Sequence, residues 1–112
     1  MTILILSHLN DRVALGVAAA LRRARRQVLA LTPEALAMAP GITYRQAPKL
    51  PACELAIEWE IRLAGGTLLR PGEVEAVFNR MRSVDAPHFA SSDPFDREYA
   101  QAESAAWLVS WL

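Results

Sequence analysis

The chain has 112 residues, enough for one domain with one modest core and too few for a second. Hydrophobic residues make up 53%, and twelve basic residues balance twelve acidic ones, so no global field draws the chain toward nucleic acid or an anionic membrane. A single cysteine, Cys53, excludes an internal disulfide and a thiolate metal cluster, in keeping with a reducing, cytoplasmic setting.

The opening Thr2-Ile3-Leu4-Ile5-Leu6 is too short and too plainly flanked for a signal segment, and no stretch approaches the ~20 apolar residues of a membrane span. Its continuous apolar run predicts a strand covered on both faces, as in a parallel sheet. Ser7-His8-Leu9-Asn10-Asp11 follows, with Asn10 or Asp11 as helix cap. Val13, Val17, Ala20, Leu21 and Ala24 then recur at spacings of three and four and predict a core-facing stripe. The helix ends in an arginine cluster, Arg22 to Arg26, favourable at that end of the dipole, and read as a solvated terminus rather than a nucleic-acid site. Val28 to Leu31 reads as the second strand of a βαβ unit.

Residues 33 to 52 hold four of the seven prolines and predict loop, with a helical turn at Glu34–Met38. Leu55, Ile57, Trp59, Ile61 and Leu63 alternate with polar residues, predicting a strand with one buried face. Gly65-Gly66 closes a hairpin with Thr67 to Arg70, an antiparallel element (about 54–63 and 67–70) added to the parallel sheet. Val74 to Met81 reads as a strand returning to that sheet and delivering Asn79 and Arg80 at its carboxyl edge. Ser92 or Asp93 as cap and Pro94 in the first turn start a last helix, with Phe95, Tyr99, Ala102, Ala106 and Val109 as its expected core stripe. Trp107 to Leu112 is apolar almost all round and lacks a glycine stop, which reads as a chain cut at a domain boundary. The expected fold is therefore a single three-layer, Rossmann-like α/β domain, 1–112, the N-terminal fragment of a longer protein.

Open α/β sheets place ligand sites at the carboxyl edge of their strands. Ser7, His8 and Asn10 could line such a crevice, although a turn residue with a satisfied imidazole is the simpler reading of His8. Arg80 could fork onto a carboxylate or phosphate, or could pair with Asp85 or Glu103. His88 and the scattered acids lack zinc spacing, and no glycine-rich phosphate loop opens a helix. Glu54, Glu58 and Glu60 make an acidic strand face whose simplest role is to blunt an exposed sheet.

The segment Glu75-Ala76-Val77-Phe78-Asn79-Arg80, a proline-containing loop, and Asp96-Arg97-Glu98-Tyr99-Ala100-Gln101-Ala102-Glu103 together resemble the N-terminal domain of ATP-grasp ligases. The nearest branch modifies peptides: ribosomal-protein glutamate ligases and graspetide macrocyclases. Residues 75 to 112 carry the likeness, and residues 1 to 32 fit through the βαβ start. Where the branch often has adjacent arginines, Met81 here separates Arg80 from Arg82. Asn79, Arg80, Tyr99 and Glu103 are the matching positions.

The resemblance implies a non-catalytic, substrate-side domain of an ATP-dependent carboxylate–amine ligase. ATP and Mg²⁺ would be bound by a following ATP-grasp domain, with no cofactor or metal in this chain. Ser7, His8, Asn10, Asn79 and Arg80 are the substrate-side candidates. Tyr99, Glu103, Trp107 and Trp111 are the candidates for the interface with that domain or with a second copy in a homodimer. No nucleic-acid or membrane partner is expected. The alternative is a stand-alone α/β interaction or regulatory module acting as a dimer. A phospho-receiver is disfavoured because Ser7-His8 stands where its acidic pair belongs, and a small enzyme using Ser7, His8 or His88 lacks base–nucleophile spacing.

Overall fold

A computed structural model describes residues 1–49, 54–82 and 89–111. In chain order the elements are β1 (Thr2–Leu6), α1 (Arg12–Arg23), β2 (Gln27–Leu31), α2 (Pro33–Ala37), β3 (Gly41–Lys49), β4 (Glu54–Arg62), β5 (Leu68–Leu69), a 3₁₀ turn (Pro71–Glu73), β6 (Val74–Asn79) and α3 (Pro94–Trp111). Three strands form a parallel sheet in the order β2-β1-β6, and three form a separate antiparallel sheet in the order β3-β4-β5. The class is mixed α/β.

The parallel sheet explains the unbroken apolar run of β1. As the central strand it is hydrogen-bonded on both edges and covered on both faces, so Leu4, Ile5 and Leu6 are almost wholly buried. Ile5 faces α1 with Val28 and Phe78, against Ala14, Val17, Ala18 and Leu21. Leu4 and Leu6 face the other way, into a larger core with Leu31, Leu36, Trp59, Ile61, Leu63 and Leu69. The antiparallel sheet, α2 and part of α3 cover that second face. Fully burying one such aliphatic side chain contributes about 1.5–3 kcal/mol.

The helix stripe departs from the expected one. Ala14, Val17, Ala18 and Leu21 pack on the sheet, whereas Val13 is 52% exposed and Ala20 and Ala24 are also exposed. Residues 14, 17, 18 and 21 share one face at i, i+3, i+4 and i+7, and it is this face that meets Ile5, Val28 and Phe78 of the sheet. Small alanines let α1 approach the sheet closely.

The proline-rich stretch is not all loop. Thr32 caps the short α2, whose N1 position is Pro33, and β3 then runs nine residues in register with β4, from Gly41 opposite Arg62 to Lys49 opposite Glu54. Pro48 is tolerated because β3 is the edge strand, where a missing N–H need not break the ladder. The 54–63 strand is present as β4, with Trp59 and Ile61 buried and Leu63 buried just beyond it, as alternation predicts. Its hairpin partner is only two residues long, and the hairpin belongs to the second sheet rather than to the parallel one. Gly65 and Gly66 have φ of +94° and +88°, a left-handed turn that favours glycine at both positions.

β6 pairs parallel with β1, and Asn79 falls opposite Leu6. In α3 the expected stripe is again on the wrong side. Phe95 and Tyr99 are 76% and 61% exposed and Ala102 and Ala106 are exposed, while Ala105 and Trp107 pack against the core. Spacing at i, i+4, i+7 and i+11 marks an apolar face without saying what covers it. The core of this chain takes the opposite side. The side chain of Val109 lies outside the described residues.

Candidate functional site

The crossover from β1 through α1 to β2 and the return of β6 bring five of the named side chains to one edge of the parallel sheet. Ser7, His8 and Asn10 leave the end of β1, and Asn79 and Arg80 leave the end of the neighbouring β6. The Ser7 amide donates to the Leu31 carbonyl at 3.0 Å, and the residue is buried, so Ser7 ties the ends of β1 and β2 together. His8 is half-buried, and its carbonyl accepts from the Asp11 amide at 3.1 Å in the turn that opens α1. Asn10 is exposed. Asn79 is also exposed, and its Oδ1 accepts from the Met81 amide at 2.9 Å, which shapes the chain as it leaves the sheet.

Arg80 is the best-held of the five. Its amide donates to the Leu6 carbonyl at 2.7 Å, extending the ladder by one step beyond β6. Its Nε donates to Asp11 Oδ2 at 2.7 Å. The other oxygen, Asp11 Oδ1, accepts from the Val13 and Ala14 amides at 3.0 Å each. One carboxylate thus caps α1 and anchors the guanidinium, joining positions 69 residues apart. The backbone hydrogen bond from Ala14 and then the Arg80 guanidinium hold the Asp11 carboxyl below its ordinary value.

Among the described residues the carboxylate partner of Arg80 is Asp11, and Glu103, one of the two acids expected from the sequence, is not paired with it. Glu103 is exposed on α3, and Asp85, with His88, lies outside the described residues. The sequence marks Asp11 as a cap but not as a member of this cluster. Nothing local in a sequence connects a cap to a side chain arriving from a strand near the other end of the chain. The available signal was the parallel pairing of β1 with β6, which sets their following residues side by side.

The interface candidates with described side chains differ in exposure. Tyr99 is open to solvent beside Phe95 and Glu103 is exposed, while Trp107 is turned inward against the core. Trp111 ends α3, and its side chain lies outside the described residues.

The N-terminus of α1 is taken up by the Asp11 carboxylate, and that of the five-residue α2 is capped by the Thr32 hydroxyl. Among the described residues no group of three His, Cys, Asp or Glu side chains could hold a metal ion. Among them also, no helix is long and apolar enough to cross a membrane. The edge gathers a guanidinium, an imidazole and two carboxamides, all of them able to donate a hydrogen bond. No protein-family model and no curated protein matches the chain.

Proposed function

We propose that this chain is the non-catalytic, substrate-side domain of an ATP-dependent carboxylate–amine ligase of the ATP-grasp type. ATP and Mg²⁺ are bound by a partner ATP-grasp domain, and the setting is cytoplasmic. The observation that carries the reading is the position of Arg80. It stands at the carboxyl edge of a parallel sheet beside His8 and Asn10, with its Nε taken by Asp11. Among the described residues its Nη1 and Nη2 make no hydrogen bond, which leaves them to fork onto a ligand carboxylate. Asp11 is then a positioning residue that fixes the direction of the fork.

The exposed Phe95 and Tyr99 support the same reading from another side. Two neighbouring aromatic side chains on one helix face, each more than half exposed, mark an interaction surface, which the ATP-grasp domain would cover. The same pair favours a second reading, a stand-alone module that dimerises through α3.

Differential scanning fluorimetry separates the readings. The ligase reading expects no stabilisation of this chain by MgATP, and a rise in melting temperature with millimolar glutamate or a glutamyl peptide that is lost in Arg80→Gln. Stabilisation by MgATP, or a carboxylate response indifferent to Arg80, would sink it. Light scattering tests the second reading: a dimer that becomes monomeric on Phe95→Ser/Tyr99→Ser favours the stand-alone module.

A further inference from the structure

We infer that β3 is a docking edge for an extended peptide strand that carries acidic side chains on one face and apolar side chains on the other. The edge is long: nine residues, Gly41 to Lys49, pair with β4 on one side, and among the described residues nothing pairs with them on the other. An unpaired edge presents a row of amides and carbonyls ready to accept a strand. Pro48 has no N–H to offer, which confines productive pairing to the Gly41–Ala47 stretch.

The two faces of β3 differ in what they leave open. Ile42 lies opposite the fully buried Ile61 yet remains 43% exposed, because no strand continues the sheet beyond it. An added strand would place an apolar side chain over it. On the opposite face, Thr43 and Arg45 fall in register with Glu60 and Glu58. They line a trough of about 550 Å³, walled by Arg70 and Pro71. Glu60 is held by Arg70 Nε at 2.8 Å. Arg45 is exposed and makes no ion pair among the described residues, so it is the cation left for an incoming carboxylate.

Charge decides between a foreign strand and a second copy. β3 carries Arg45 and Lys49 and no acid. Pairing β3 with itself about a two-fold axis therefore offers Arg45 no carboxylate. β4 shows the complement that β3 accepts, with Glu58 opposite Arg45 and Glu54 opposite Lys49. A strand entering from the open side meets the same requirement. Balanced net charge, twelve against twelve, means that any preference for acidic peptides must come from this local pattern.

This surface is separate from Arg80 and from the aromatic face of α3, so its failure leaves the ligase reading untouched. The test uses the whole chain and two labelled, end-capped nine-residue peptides, one alternating glutamate with valine and one alternating lysine with valine. Fluorescence anisotropy at low salt should show the glutamate peptide binding roughly tenfold more tightly, with Arg45→Glu reversing the preference. Amide hydrogen exchange should show new protection within 41–47. Ile42→Lys, an inward charge on an edge strand, should abolish binding of both peptides while leaving the circular dichroism spectrum unchanged. Equal binding of the two peptides, no binding, or binding without protection of β3 would each overturn the inference. So would β3 protection that grows with protein concentration in the absence of peptide, which would identify the occupant as a second copy.

Discussion

Replacing Phe95 and Tyr99 together by serine should leave the fold almost intact, because α3 buries its other side. Phe95 is 76% exposed and Tyr99 61% exposed, so folding removes only about a quarter and two-fifths of their surfaces from water. Full burial of a large apolar side chain contributes ~1.5–3 kcal/mol, and those fractions together leave roughly 1–2 kcal/mol at stake. A compact unfolded chain lowers this further, toward ~1 kcal/mol. In a domain of this size that is a fall in melting temperature of about 4 °C. Trp107→Ala should cost about 2–3 kcal/mol, less than the loss of a fully buried aromatic, because Trp107 is half-buried against the core. Urea denaturation followed by circular dichroism measures both, with an unchanged m-value confirming that the same structure unfolds. If the double serine variant lost more stability than Trp107→Ala, α3 would sit on the side its spacing first suggested, and the docking face argued above would not exist.

Two further changes probe α1. Asp11 has a folded-state pKa below its unfolded value, so its contribution is present above about pH 4 and is lost as pH falls through the lowered value. Asp11→Asn should therefore flatten the acid limb of stability measured by urea melts between roughly pH 5 and pH 2, and an unchanged acid limb would deny the linkage. Arg25 follows α1 with φ of +57°, a left-handed conformation that strains a residue with a Cβ. Arg25→Gly should raise stability by about 1 kcal/mol, and a melting temperature that drops would show that the arginine side chain contributes more than the backbone strain removes.

How far the sequence could be read depended on how local the deciding physics was. β1, α1, β2 and β6 follow from short apolar runs, a cap and a change of period, all visible within a dozen residues. Trp59, Ile61 and Leu63 are buried as their alternation requires. β3 was hidden because prolines argue against a strand, and the exception that admits Pro48 is its edge position, a property of the sheet and not of the segment. The buried faces of α1 and α3 are hidden for a related reason. Each helix has more than one apolar stripe, and which stripe meets the core depends on the layer it packs against. In α3 that ambiguity is itself informative, since the stripe left outside contains the two aromatics at Phe95 and Tyr99.

At the candidate site the same distinction applies, with a different consequence. Ser7, His8, Asn10, Asn79 and Arg80 could be named from their positions at strand ends, because parallel pairing of β1 with β6 gathers such residues at one edge. The residue that organises them could not, because Asp11 serves two distant partners at once. That double duty bears on whether Arg80 is structural or functional. If Arg80 served only to steady α1, the two Oδ1 hydrogen bonds from Val13 and Ala14 would already accomplish it, with the guanidinium adding a solvent-screened ion pair at a partly open edge. A lysine could supply that charge, but it could not hold Asp11 through Nε and keep two further donors in a fixed plane. Arg80→Lys thus distinguishes the roles: near-wild-type stability with loss of the carboxylate response identifies the fork as a binding group, and equal retention of both reduces it to a strut.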